Sequence, residues 1–390
     1  MTLAQHWQRH RRWIVRDVLV PFIISRALLV GIGWFAQLFP LDTRYPTQAA
    51  VERGWEFTPN SWLDNWARWD SGFYLGIATH GYRVQGDPTV TQSNIAFFPL
   101  YPYLVRGLAQ VIPPALRSTG VIIAIGVGLS NVCLLGALIV LHRLIMRLLD
   151  DEGVAQRAVW LVLIFPTSFF LSAFYSEALF LLLSIAALYA AYTGRWTLAG
   201  GLSAAATLTR PQALLLLLPL ALIYLDSIGW RVRRAWRALG WLSLSPLALL
   251  AHLLSLMPIT HNLWLPLMSH GVWGRTFSWP WQSFLTPNTF IKPVTQFEQV
   301  LLPIMLSLAV WALIQRRTRV LGIYALMVTA LPLFSGSLLS TARYFSTLFP
   351  AFIVLAQLGR RPLVQQTVNL LAIALQALLM AGFSRLYPIY

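Results

Sequence analysis

The chain has 390 residues, of which 57% are hydrophobic and 11% charged, with 17 tryptophans and a net charge of +16; its mean hydropathy is +0.63. Such values lie outside the range of a soluble globular domain. The basic residues, all arginine except Lys292, fall in short clusters between apolar runs, which excludes a nucleic-acid binder and points instead to an anionic membrane face.

Four arginines, Arg9, Arg11, Arg12 and Arg16, precede an apolar stretch from Val18 to Phe39. It is too long for a signal peptide and has no small-residue cleavage site, so it reads as a retained first transmembrane helix. Counting about 20 apolar residues per crossing predicts about eleven spans. They are centred in residues 18–39, 120–142, 157–174, 177–193, 197–209, 212–228, 240–257, 299–315, 319–335, 344–358 and 363–383. The short span at 197–209 holds Gly200, Gly201, Ala204, Ala205 and Ala206, a composition suited to tight packing inside the bundle away from lipid. Cys133 is the single cysteine and lies in an apolar run, which rules out an internal disulfide framework or a cysteine metal site.

Arginine placement sets the orientation. With the N-terminus cytoplasmic, that side gathers the four N-terminal arginines together with Arg143, Arg147, Arg157, Arg195, Arg231, Arg233, Arg234, Arg237, Arg316, Arg317, Arg319, Arg360 and Arg361. All stand in short loops and tails. Two outer loops, 40–119 and 258–298, are long and rich in Trp, Pro and Tyr, as expected of segments in the headgroup region. The first is large enough to carry interfacial helices. The inner loops leave no room for a soluble domain, so the expectation is one all-α polytopic membrane domain over residues 1–390 with its working centre on the outer, periplasmic face. No internal repeat is evident, which weakens a transporter reading.

Eight acids fall on the outer side: Asp42, Glu52, Glu56, Asp64, Asp70, Asp87, Glu177 and Glu298. The other five, Asp17, Asp150, Asp151, Glu152 and Asp226, sit beside inner arginines and read as solvated loop charges. Asp70, in Trp66-Ala-Arg-Trp-Asp-Ser-Gly-Phe-Tyr74, has two readings. It is a general base partly desolvated by indoles, or it is the N-cap of a helix starting at Ser71. His80-Gly81-Tyr82 either meets a ligand or ends that helix, and Asn94 to Pro102 reads as scaffold by default, with ligand contact the alternative.

Glu177 stands at an outer turn between spans where Gly, Asn or Pro is usual, so it predicts a buried partner, with Arg210 the candidate. Arg210 and Arg343 both lie at outer helix breaks, where a planar fork and free backbone donors suit a lipid-linked phosphate. Headgroup anchoring or pairing with Glu177 is the plainer alternative. Arg26, inside the first span, reads as a packed ion pair or a snorkelling side chain. No metal-ligand spacing and no Gly-x-Ser-x-Gly elbow appears.

Taken as a series, Trp69-Asp70 with Tyr74 and His80-Gly-Tyr82, Phe97-Phe-Pro-Leu-Tyr-Pro102, Phe165-Pro-Thr-Ser with Tyr175-Ser-Glu177, Thr209-Arg-Pro211 and Ser340-Thr-Ala-Arg-Tyr344 resemble the PIG-V family of membrane mannosyltransferases. That family belongs to the GT-C glycosyltransferase superfamily, and the resemblance covers roughly residues 20–350. Trp273-Gly-Arg275 with Pro280-Trp281 resembles a bacterial subset. The resemblance implies a GT-C-like bundle and inverting transfer of a sugar, mannose above all, from a polyprenyl-phosphate donor to a hydroxyl of a lipid or glycan. The eukaryotic glycosylphosphatidylinositol acceptor does not carry over to so compact a chain. Asp70 becomes the expected base, Arg210 and Arg343 the donor-phosphate ligands. Arg68, Trp69, Tyr74, His80, Tyr82, Glu177, Arg275 and Tyr344 become the expected substrate pocket, without cofactor, metal or nucleic-acid partner, in a bacterial inner membrane. The rival from another class is a lipid or polyprenyl-sugar flippase; a noncatalytic partner subunit that keeps the fold is a third reading.

Overall fold

The computed structural model describes residues 12–40, 57–84, 86–231, 233, 235–285 and 292–389. Arg9, Arg11, Asp42, Glu52, Glu56 and Arg234, and with them parts of both long outer loops, lie outside the described residues. Among the described residues there are helices and no strands. Five helices are long and apolar enough to cross a membrane: α1 (Ile14–Ala36), α5 (Thr119–Leu149), α10 (Trp236–Thr260), α13 (Lys292–Ile314) and α17 (Pro362–Ser384). Shorter apolar helices fill in between them: α7 (Glu177–Tyr192), α9 (Leu217–Ser227, entered through a 3-10 stretch from Pro211), α14 (Arg319–Ala330) and α16 (Phe349–Leu358).

The remaining two predicted spans are helices too, but shorter than expected. α6 (Glu152–Ile164) has 13 residues and α8 (Trp196–Thr207) has 12. α8 does pack closely, since a Cβ on Gly200 would meet the Trp241 carbonyl oxygen at 2.4 Å. It is not fully shielded, however, because Thr197, Leu198 and Gly201 on its other face are exposed. The first outer loop carries α2 (Ser61–Asp64), α3 (Ser71–His80) and α4 (Leu100–Gln110); the second carries α11 (Leu265–Met268) and α12 (Pro280–Leu285). α15 (Thr341–Phe345) precedes α16.

The largest departure from the hydropathy pattern lies between α6 and α7. The apolar run 157–174 predicts one span, yet the helix stops at Ile164, and residues 165–176 form an irregular, wholly buried segment. Backbone that leaves the helix at membrane depth must find its hydrogen bonds inside the protein, and two buried side chains supply them. Arg26 donates to the carbonyls of Leu163 (3.0 Å) and Ser168 (3.4 Å) and to Ser172 Oγ (2.7 Å). Gln376 Nε2 donates to the Leu163 and Phe165 carbonyls and to Ser168 Oγ. Among the described residues Arg26 is therefore neither half of an ion pair nor a snorkelling side chain. It caps the C-terminus of α6, where a cation is favoured by the helix dipole. Gly126 lets α5 close on the same segment, since a Cβ there would lie 2.2 Å from the Phe174 ring.

Helix ends sort the charges into two groups. Near the start of α1, Asp17 accepts from Arg16 and from Gln156, and lies 3.5 Å from His142 Nε2; Arg16 also reaches Glu152. Nearby, Arg360 pairs with Asp151, and Arg317 donates to the Leu149 carbonyl. Arginines predicted on one side of the membrane thus meet at one end of the bundle. Asp17, expected to be a solvated loop charge, is fully buried.

Candidate active site

At the other end, the buried 165–176 segment fixes the Asp70 strip. Phe174 N donates to the Trp66 carbonyl at 2.7 Å, Tyr175 Oη to the Arg68 carbonyl at 2.8 Å, and the hydroxyls of Tyr74 and Ser176 meet at 2.8 Å. Arg68 itself is buried, forms an ion pair with Asp64 and reaches the Ser384 carbonyl. Trp69 takes a left-handed backbone conformation, φ 52°, which costs energy for a bulky residue and turns the chain sharply into α3. Asp70 does occupy the N-cap position of α3, but its side chain makes no capping bond. It turns instead to Arg343, whose Nη1 donates to Asp70 Oδ2 at 2.7 Å.

Arg343 is the hub. It is buried, its Nε lies 3.2 Å from Glu177 Oε1, and its guanidinium carbon sits 5.3 Å from the Tyr175 ring centroid and 5.6 Å from those of Phe170 and Tyr344. Glu177, fully buried at the start of α7, also pairs with Arg210, the partner its sequence position predicts. Arg210 Nε donates to Ser176 Oγ as well. The result is a chain of charges, Asp70, Arg343, Glu177 and Arg210, drawn from four elements. A buried ion is tolerated at this density only when each has an opposite neighbour.

These guanidiniums face a cavity of about 440 Å3. Arg210, Arg275 and Arg343 all line it, as do Tyr74, Tyr344 and His270, and Arg275 hydrogen-bonds the Tyr344 hydroxyl. The remaining wall is largely apolar, from Phe97 and Phe98 across to Leu214, Leu215, Val328 and Leu331. Of the two readings of segment 94–102, scaffold and ligand contact, its Ala96, Phe97 and Phe98 stand on the cavity wall. Three cationic forks open onto the hollow, while the two carboxylates, Asp70 and Glu177, stand behind Arg343. Asp70 keeps 18% of its side chain accessible. The arrangement suits an amphiphile with a small anionic head.

The predicted pocket residues divide accordingly. Tyr74, Arg210, Arg275, Arg343 and Tyr344 line the cavity; Asp70 and Glu177 contact it through Arg343; Arg68, Trp69, His80 and Tyr82 do not line it. His80 is exposed at the far end of α3, which Gly81 terminates with φ +85°. Tyr82 donates to the Phe97 carbonyl at 2.8 Å and so braces the wall from outside. Burial pushes the Tyr74 hydroxyl up to about 12, leaving it a donor at neutral pH.

Two residues of the site escaped the sequence reading. His270 lines the cavity with a buried Nε2 that has no hydrogen-bond partner among the described residues; burial, and then the Arg275 charge, push its pKa down to about 4, so the ring is neutral. Its nearness to Trp273-Gly-Arg275 is the only signal the sequence offers. Glu298 is buried behind α15 and accepts from the Ala342 amide at 3.4 Å, holding the helix that presents Arg343.

An all-helical membrane protein with a cationic, apolar-walled hollow beside a buried carboxylate is the class that fold and site define. A family model, Mannosyltransferase (PIG-V), matches residues 25–227, and the chain belongs to that family. The match includes Asp70, Glu177 and Arg210 and stops short of His270, Arg275 and Arg343. Among curated relatives, GPI mannosyltransferase 2 of Drosophila pseudoobscura pseudoobscura is 30% identical over 135 residues, covering 31% of this chain and 28% of its own. GPI alpha-1,6-mannosyltransferase 2 of Cricetulus griseus is 33% identical over 155 residues, 39% of this chain and 30% of its own; the Homo sapiens protein is 32% identical over 141, 35% and 27%. The aligned stretch thus spans less than a third of each relative. Among solved structures, the archaeal oligosaccharyltransferase AglB from Archaeoglobus fulgidus, in complex with an inhibitory peptide and a dolichol-phosphate, superposes with a TM-score of 0.47 at 13% identity, over 95% of this chain and 56% of that one.

Proposed function

We propose that the protein is an inverting glycosyltransferase that moves a sugar, mannose above all, from a polyprenyl-phosphate donor to a hydroxyl of a lipid or glycan at the outer face of a bacterial inner membrane. The observation that carries this reading is the placement of Arg343, one guanidinium joining the Asp70 carboxylate to the wall of the cationic cavity. Asp70 takes the proton of the acceptor hydroxyl, the acceptor oxygen bonds to the anomeric carbon, and the bond from that carbon to the phosphate oxygen breaks with its electron pair going to the phosphate. Arg343, Arg210 and Arg275 neutralise the charge that develops there, the kind of preorganised stabilisation that contributes most to such steps. His270 Nε2 and the Tyr74 hydroxyl supply polar contacts to the sugar, and the apolar wall takes the first isoprene units.

Reconstitution in liposomes with a labelled polyprenyl-phosphate mannose and an acceptor glycolipid tests the reading. A new glycoside of inverted anomeric configuration is the expected product. Movement of the labelled lipid between leaflets with no bond formed would establish the flippase instead.

A further inference from the structure

A second cavity, of about 550 Å3, opens at the opposite end of α3. It is lined by Ala78, Thr79 and His80 of α3, by Arg106, Ala109 and Gln110 of α4, and by Arg117 and Ile122 beyond. The two cavities share no lining residue; along α3 the nearest walls are Tyr74 of the first and Ala78 of the second, one helical turn or about 6 Å apart at 1.5 Å per residue.

Its electrostatics differ from those of the first cavity. There, Arg210 and Arg343 share the Glu177 carboxylate and Arg343 also holds Asp70, while Arg275 bonds the Tyr344 hydroxyl. Arg106 spends Nε and Nη2 on the Ala78 and Ile77 carbonyls at the C-terminus of α3, at 2.7 and 2.8 Å. Arg117 spends Nε and Nη2 on the Ile112 and Gln110 carbonyls, at 2.6 and 3.0 Å. Both guanidiniums are half-buried, both face the same hollow, and among the described residues neither forms an ion pair. His80 stands beside them; Thr79 Oγ1 donates to the Leu75 carbonyl and accepts from His80 Nδ1 at 2.8 Å, which leaves Nε2 to accept from a hydroxyl of the ligand's head. Two oriented, uncompensated forks beside an imidazole make a receptor for a tetrahedral oxyanion. The surroundings say which kind: Tyr103, Leu104, Leu108, Val111 and Leu116, on and just after α4, are exposed apolar side chains, and an apolar helix face beside a cationic hollow is what the headgroup boundary of a bilayer selects.

We infer that His80, Arg106 and Arg117 form a second anion site that holds the phosphate of a membrane amphiphile at the outer surface, separate from the cavity lined by Arg343. The site does not depend on which reaction the first cavity performs.

Full-length protein in phosphatidylcholine nanodiscs, titrated with phosphatidylglycerol and read by native mass spectrometry of retained lipid, tests this. Arg117→Gln is expected to lower phosphatidylglycerol affinity about tenfold, the loss of one charge-assisted bond, with Arg117→Lys recovering part of it. Arg106→Gln is expected to act alike, but it also uncaps α3, so the Arg117 pair carries the test. Arg343→Gln, which removes the central donor of the first cavity, is expected to retain the lipid unchanged. If inorganic phosphate at millimolar concentration displaces phosphatidylglycerol in an Arg117-dependent way, the site reads the phosphate group itself; if it does not, the acyl chains contribute, and the site is specific for the lipid. Equal retention by native, Arg117→Gln and Arg106→Gln protein overturns the proposal, as does loss of retention in Arg343→Gln, which would place the lipid in the first cavity.

Discussion

The two ends of the bundle both gather charge, but they handle it differently. At the Arg16 end the cations sit in water: Arg16 and Arg360 are each 61% exposed, and their partners Glu152 and Asp151 are 58% and 28% exposed. At the Asp70 end Arg210, Arg343 and Glu177 are all buried. Exposed pairs gain little because water screens them. Buried ones cost several kcal/mol per ion to desolvate and return it only if every partner stays in place. Apolar side chains could fill the same space at no desolvation cost, so four interlocked charges around a hollow accord with the binding role proposed for it.

Removing links from the two clusters should therefore give very unequal results. Glu177→Ala leaves Arg210 and Arg343 without their shared anion and is expected to destabilise the protein by about 3–5 kcal/mol, read as a lowered Tm in detergent. Arg343→Gln is expected to slow transfer by about 10²–10³-fold, measured as glycoside formed per enzyme in liposomes, since the phosphate loses its central donor. His270 gives a pH signature of its own. The unfolded chain takes up a proton there near the ordinary 6.5, whereas the folded protein resists it until about 4. Between those values the unfolded state binds the extra proton, and acid favours it at up to about 1.4 kcal/mol per pH unit. Relative to the native chain, His270→Asn is therefore expected to lose less stability between pH 6.5 and 4, and to match its pH response above 6.5, in parallel thermal melts. At the smallest end, Arg360→Ala is expected to change stability by less than about 1 kcal/mol, an effect that added salt should erase from the native protein.

How far the sequence foretold this contrast depends on the range of the interaction. Glu177 was legible as an acid in need of a partner because a carboxylate at an outer turn breaks a local rule, and Arg210 stands only 33 residues on. The Asp70 to Arg343 bond spans 273 residues; no periodicity or turn signal reports a contact between side chains so far apart in sequence. Hydropathy located the long helices well, since length and apolar content are all it needs. It misread residues 165–176, because a buried irregular segment is as apolar as a helix and differs only in where its backbone hydrogen bonds go. The side chains that complete them, Arg26 and Gln376, come from the first and last membrane helices. Asp17 was misjudged for a related reason: its neighbours in sequence are basic and exposed, but its burial is decided by His142 and Gln156 on other helices.

Asp70→Asn bears most directly on the central claim, because amide and carboxylate have nearly the same shape and only one can take a proton. Purified Asp70→Asn protein, assayed side by side with the native chain for binding and for turnover of polyprenyl-phosphate mannose, is expected to bind the donor with comparable affinity and to form product at least about 10²-fold more slowly. Native turnover in that variant would contradict the account.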